Sequence, residues 1–550
     1  MTSHTRRRWA GSLIVVSAAA ALTSALLPAP ASGSLPTAGQ EAAVTGDRLD
    51  LGPADLPETR STSELQPGVT LTRITRGGTD TSLTWTVEAL IPSTSTSPDP
   101  DAPPRALSDE AAARAQADRL RAKGFEPRVE EVARPRAADV PAGTLGFRVR
   151  IGSFPTKAAA DEEKARLAAA DEAGSSVYTG WDGDPRARGP WHVDVVTVDP
   201  ERFDGRLGAS YGPDLHERET TSALSQAAGA KVGVNAGFFV LDPAAGAPGD
   251  PAGVGVYRGK VLSEPTAGRP SLVLHDDGRS GVERLTWRGK AVIGGKQVPL
   301  DGINRVPGLI RNCGGEASDR PTAQPLHDVT CTDDSELVAF TREYGRETPS
   351  GQGREVVVDA HHVVRSVAGS RGTALPAGST SLQATGASEA ALDDVRVGDR
   401  LPFGPALADA SGTPRTVPAD TTIVNGGPLL VRGGEEEITQ RRDGMVHPDD
   451  PSFSYGWVAK RNPRTIAGTD RQGRTVLVTV DGRSTDDLGL SIPEAADVAR
   501  SLGLVDAVNL DGGGSTTMAV DGRVVGHPSD PAGERPVGDG VLVLPPAREN

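Results

Sequence analysis

The sequence predicts an α+β protein: a β-rich large domain with few helices, plus a small ferredoxin-like unit inserted near the N-terminus. Three observations carry that expectation. Short runs of alternating apolar residues recur from Trp191 to Leu544 with few helical stretches between them. Gly (66) and Pro (44) are frequent in the 550 residues, which favours turns over long helices. Between residues 105 and 180 the pattern reads helix, strand, strand, helix, strand, as two similar halves.

The elements follow in chain order. Arg6 to Arg8 precede an apolar run from Trp9 to Leu27, then Ala29 and Ala31 in an A-x-A arrangement, so residues 1–31 read as a signal peptide. Residues 32–64 are polar and read as a flexible leader. In 65–92, Val69, Leu71 and Ile74, then Leu83, Trp85, Val87 and Leu90, flank Arg76-Gly-Gly-Thr79, the pattern of a hairpin belonging to the large domain. Pro92 to Pro104 reads as a linker. In 105–180, Ser108–Lys123 and Thr156–Ala170 have helical spacing, and Phe125–Val132, Leu145–Phe154 and Ser176–Tyr178 read as strands. The large domain, 190–546, opens on the alternating Trp191–Val198. Further strands are expected at 231–234, 271–274, 337–340, 355–358, 422–424, 475–480, 507–510 and 541–544, with helices only at 220–228 and 491–502.

Charge narrows the function. With 58 Lys and Arg against 73 Asp and Glu, the net charge of −15 speaks against a nucleic-acid partner, which needs clustered cations. An anionic substrate must meet a local basic site. No run after residue 31 is apolar enough to span a bilayer, so no membrane contact is expected after signal cleavage, and the protein is expected to be secreted or cell-wall associated. In an exported chain the two cysteines, Cys313 and Cys331, are expected to form a disulfide.

Four segments share one design, a strand ending in Asn or Asp followed by glycine or a turn: Val232-Gly-Val-Asn-Ala-Gly-Phe-Phe239, Ile423-Val-Asn-Gly-Gly-Pro-Leu-Leu430, Lys460-Arg-Asn-Pro-Arg-Thr-Ile-Ala-Gly468 leading into Thr475–Arg483, and Val508-Asn-Leu-Asp-Gly-Gly-Gly-Ser-Thr-Thr-Met518. Strand ends are favoured places for polar site residues, although any one of these is also an ordinary turn sequence. Together, and in this order, they resemble the phosphodiester glycosidase family. The stretch Phe147-Arg-Val-Arg-Ile-Gly-Ser-Phe154, with Ala158 to Ala160, resembles a SPOR domain, a family that binds peptidoglycan glycan strands stripped of their peptides.

The first resemblance implies cleavage of a sugar-1-phosphodiester at its C1–O bond, and the residues can be fitted to that chemistry. Arg464, then Arg461, would fork onto phosphate oxygens. Asn235, Asn425 and Asn509 offer donors and acceptors to a sugar, and Gly512, Gly513 and Ser515 backbone or hydroxyl donors to a phosphate. Asp511 is the first candidate for the carboxylate beside an oxocarbenium-like state or for the base that activates water, with Glu494 and Asp481 as alternatives. Glu494 is equally a helix N-terminal charge. His447 is a candidate acid or base in the polar loop 443–450, and equally a surface residue. No metal site or cofactor is expected, although Asp449 and Asp450 leave Ca²⁺ open. A non-catalytic wall-glycan-binding protein is the alternative. A phosphodiesterase that cuts P–O with a metal pair is a third reading, disfavoured by scarce His.

Overall fold

A computed structural model describes residues 48–92, 104–266, 268–314, 319–320, 322 and 324–546. The expected signal peptide and the first half of the leader lie outside these residues. The second half of the leader is ordered, contrary to expectation. Leu49, Leu51 and Leu56 are buried in the core, and Glu58–Gln66 is a strand.

The large domain is built on an eight-stranded antiparallel sheet. Its strands run in the order Glu58–Gln66, Val69–Arg76, Trp191–Val198, Thr475–Val480, Arg464–Asp470, Leu504–Asn509, Leu429–Arg432 and Glu435–Glu436. Alternation decides its two faces. Val69, Leu71, Val196, Val198, Leu477 and Val508 share a core with Val232, Val234, Leu272, Leu274, Val424 and Val541 from two further sheets. The other face packs on the helix Ile492–Ser501 through Ile492, Ala495, Ala496 and Ala499. That helix starts on a capping box, Ser491 with Glu494, and carries Pro in its first turn. The expected helices and strands of this domain are present within a few residues, together with a short helical turn over Pro451–Ala459.

The expected hairpin over 65–92 does not form. Val69–Arg76 pairs with Glu58–Gln66 and Trp191–Val198, whereas Trp85–Ala89 pairs with Thr144–Phe154 and Gly174–Tyr178. Arg76 to Thr79 is therefore a passage between two sheets. Alternation identified both strands, but it carries no information on pairing partners.

Trp85–Ala89 completes the ferredoxin-like unit. The sheet order is Pro127–Ala133, Thr144–Phe154, Trp85–Ala89, Gly174–Tyr178, so the strand preceding the expected domain boundary lies at its centre. One face packs Val87, Ala89, Val149 and Ile151 against Ala113, Ala117 and Leu120 of the helix Glu110–Ala122 and Ala160 and Leu167 of the helix Lys157–Ala169. Asp109 and Thr156 cap those helices. The opposite face carries Thr86, Glu88 and Arg150, all buried, and Glu88 and Arg150 meet Tyr455 of the large domain.

Candidate active site

A cleft of ≈ 400 Å³ opens where the Asp511 loop meets the turn Pro451–Ala459, within the roughly 300–1,000 Å³ range of small-molecule sites. Arg464, Arg483, Arg311, Arg535 and Lys460 line it, with Asp511, Asp328 and Glu88 as the carboxyls and Phe238 and Trp457 as aromatic surface. In a chain of net charge −15, this is the local basic site that an anionic substrate requires.

Arg464 starts its strand and is buried. Its Nε donates to the Leu490 carbonyl (2.9 Å) and its Nη2 to the Trp457 carbonyl (2.6 Å), while the guanidinium lies over the Trp457 ring at 5.3 Å. Nη1 takes no part in those bonds. Burial, reinforced by the charge of Arg483, lowers its pKa to about 9. Burying a cation without a carboxylate partner costs several kcal/mol. Three backbone carbonyls, those of Leu490, Trp457 and Lys460, offset only part of that, so the position favours a bound anion.

Asp511 follows the strand Leu504–Asn509. Burial pushes its carboxyl up to about 7, with the Asp328 charge adding to the shift and the Ser515 hydroxyl and then Arg535 opposing it. Its Oδ1 accepts the Gly512 N–H at 2.8 Å, and Gly512 and Gly513 line the cleft beside it. Asp328 pairs with Arg311 at 3.1 Å and accepts from Trp457 Nε1 at 3.1 Å. Arg311 and Asp328 flank the Cys313–Cys331 disulfide, which is formed (S–S 1.99 Å) and ties their loop together.

Other sequence candidates have different work. Glu494 and Arg461 hold each other: Arg461 Nε sits 3.0 Å from Glu494 Oε2, which also accepts the Ser491 N–H at 2.9 Å. Neither residue lines the cleft. The capping role of Glu494 prevails, and Arg461 is its counter-ion. Asn235 donates to the Asp511 carbonyl (2.7 Å) and accepts from Thr465 Oγ1 (2.7 Å) and the Thr517 N–H (3.1 Å). Asn425 bonds both backbone groups of Phe238, and Asn509 donates to the Gly427 and Leu510 carbonyls. These amides tie the site loops together, chiefly through backbone groups, and none of them lines the cleft. Ser515 is fully buried and lies off the cleft surface.

His447 also stands outside the cleft. It stacks on Phe453 at 3.7 Å, and burial lowers its pKa to about 4, so it is neutral and neither an acid at pH 7 nor an exposed surface group. In its loop Asp443 pairs with Arg284 at 2.6 Å and Asp450 caps the turn that follows. Asp481 lies in a separate cluster. Burial and the charges of Asp487 and Asp194 raise its carboxyl to about 7, with the His527 N–H opposing. Asp481, Asp487 and His527 present ligand atoms within 4.8 Å of one another, the one such group among the described residues, and an N/O set of this kind suits a transition metal.

Comparison with known proteins agrees with this architecture. Residues 352–544 match the phosphodiester glycosidase family model and residues 105–179 the SPOR domain model. A crystal structure from Burkholderia pseudomallei K96243 superposes with a TM-score of 0.81 at 32% identity, over 92% of this chain and 100% of that one. The chain carries a phosphodiester glycosidase domain and a SPOR domain. A hypothetical protein from Synechocystis shares the fold, with a TM-score of 0.51 at 17% identity over 89% of this chain and 76% of that one. Among curated proteins, mouse N-acetylglucosamine-1-phosphodiester alpha-N-acetylglucosaminidase is 33% identical over 109 residues, 20% of this chain and 21% of that one. The human enzyme is 32% identical over 109 residues, 20% of this chain and 21% of that one. The chain thus spans about a fifth of the length of the curated relatives it matches. The phosphodiester glycosidase match begins at residue 352, yet Val69–Arg76 and Trp191–Val198 belong to the same sheet. The SPOR match likewise begins after its own central strand.

Sequence reasoning missed Trp457, Lys460, Arg311, Asp328 and Arg535. Arg483 and Lys460 lay inside quoted motifs, but Arg311 and Asp328 have no signal beyond their place at the ends of the cysteine loop.

Proposed function

We propose that this chain is a secreted glycosidase that hydrolyses a sugar-1-phosphodiester at the C1–O bond, on cell-wall or extracellular glycopolymers. The observation that carries the reading is the pairing, in one cleft, of a buried guanidinium lacking a carboxylate partner with a carboxyl poised near neutrality. Arg464 takes a phosphate oxygen, with Arg483 and Lys460 adding charge. The leaving phosphomonoester is a weak base and needs little protonation. Asp511 takes the proton of the attacking water, whose oxygen joins C1 as the C1–O bond breaks and the electron pair leaves with the phosphate. Asp328 faces the positive charge that develops at C1.

The phosphodiester glycosidase domain and the names of the mammalian relatives support a sugar-1-phosphodiester substrate, and N-acetylglucosamine is the first sugar to try. The SPOR domain and the naming of the Burkholderia relative as a candidate exported protein support a place at the cell wall. No helix among the described residues is long and apolar enough to cross a membrane. The test is release of reducing N-acetylglucosamine from its methyl-phosphate diester by the purified full chain. Release that needs Asp511 supports the reading. No release by the wild type leaves the non-catalytic glycan binder.

A further inference from the structure

The cleft has a wall that does not come from the glycosidase domain. Besides the arginines and the Asp511 loop, it is lined by Glu88, Leu90, Ser175 and Val177 of the SPOR sheet. Glu88 lies directly across from Ser175 on one neighbouring strand and from Arg150 on the other, so the three occupy the face turned away from the SPOR helices.

That face is fastened to the glycosidase domain by buried ionic bonds. Glu88 bonds Lys460 (2.7 Å), Arg150 (2.9 Å) and the Tyr455 hydroxyl (2.7 Å), and Arg150 also bonds Asp182 (2.6 Å). Lys460 and Tyr455 belong to the turn that lines the cleft from the other side. A second seam joins Arg136 to Glu436 (2.8 Å) and Asp497 (2.6 Å). A module that acts as an independent tether needs its recognition face open. Here the part of that face around Glu88 and Arg150 is buried in the seam, and Leu90 and Ser175 open into the cleft.

We propose that the SPOR sheet and the glycosidase domain form one composite binding site, in which an extended sugar chain runs along the SPOR wall and delivers its phosphodiester to Arg464 and Asp511. This rests on the hydrolase reading for the chemistry at the diester, but the shared wall stands on geometry alone. The cleft divides accordingly. Its glycosidase side is cationic and aromatic, suited to a phosphate and a sugar-ring face. Its SPOR side offers the small and apolar Leu90, Ser175 and Val177, a surface along which neutral sugars can lie. Ser175 is partly exposed at this wall, so enlarging it narrows the channel without opening the core.

The test uses the full chain with glycan strands from amidase-stripped peptidoglycan as the probe. Wild-type protein is expected to bind the strands. Ser175→Trp should weaken that binding at least tenfold, while Glu162→Trp, on the exposed outer side of the SPOR helix, should bind as wild type does. Soluble strands should also raise the apparent KM of the methyl-phosphate diester without lowering kcat. If Ser175→Trp does not fold, Ser175→Gln gives the same comparison with a smaller effect. Equal binding by wild type and Ser175→Trp, absence of strand binding, or strands that bind without raising KM would each overturn the composite site. If the wild type leaves the diester intact, the hydrolase reading fails, and the binding comparison still decides the wall.

Discussion

Lys460 Nζ lies 2.7 Å from Glu88 Oε1, an ion pair that joins the Arg464–Asp511 cleft to the central strand of the SPOR sheet. Burial alone would raise the Glu88 carboxyl, but Lys460 and Arg150 hold it down to about 2. The surrounding domain therefore depends on this charge.

Glu88→Gln should destabilise the full chain by roughly 3–5 kcal/mol, because it leaves buried cations uncompensated. The sign of the pH effect follows from the depressed carboxyl. Its contribution is complete above the ordinary value of 4.5 and is lost as pH falls towards 2, on the order of 3 kcal/mol. Urea unfolding between pH 7 and pH 3 should show the wild type losing more stability than the variant. Parallel curves would remove Glu88 from the seam.

Arg464→Ala should raise KM for the diester while retaining part of kcat, because a guanidinium on phosphate acts in ground and transition states alike. Arg464→Lys should recover little, since an ammonium cannot replace a fork whose Nε and Nη2 also hold the Leu490 and Trp457 carbonyls. Steady-state kinetics on both variants is the check, and an unchanged KM would move the phosphate elsewhere in the cleft.

A fragment of residues 105–180 should fail to fold, and one of 80–182 should fold better. The shorter piece lacks Trp85–Ala89, whose Val87 and Ala89 are fully buried between both helices and the sheet. Circular dichroism with thermal melts compares them. A cooperative melt for the shorter fragment would contradict the pairing.

Glu494→Gln should cost stability and leave the pH dependence of hydrolysis intact, because its carboxylate is committed to Arg461 and the Ser491 cap. Reducing the Cys313–Cys331 bond should cost roughly 3 kcal/mol and raise KM, as the loop holding Arg311 and Asp328 loosens. A collapse of kcat in Glu494→Gln without loss of stability would restore it as a catalytic candidate.

Much of the local structure was legible in the sequence, because alternation at Trp191–Val198 and the capping pattern at Ser491 are set by neighbouring residues. Pairing was not. Nothing near Trp85 says that its partners lie at Phe154 and Tyr178 and not across the adjacent Gly-Gly turn. The same limit governs the site. Arg464, Asp511, Gly512 and Gly513, which strand ends and glycines mark in the sequence, line the cleft. The three asparagines carried the same signal, yet their amide N–H groups go to backbone carbonyls of distant loops. Arg311, Asp328 and the SPOR wall join the cleft only through tertiary contacts, which leave no local pattern to read.

The proposed reaction is attack at the sugar carbon by water that Asp511 deprotonates. Hydrolysis of the N-acetylglucosamine methyl-phosphate diester in ¹⁸O-labelled water tests this most directly, read by mass spectrometry of both products from pH 5 to 9. The account predicts label in the sugar, a rate that rises with pH through about 7, and a fall of roughly 10²–10⁴-fold in kcat for Asp511→Asn. Label in the phosphate, or an Asp511→Asn variant with the wild-type rate, would contradict it.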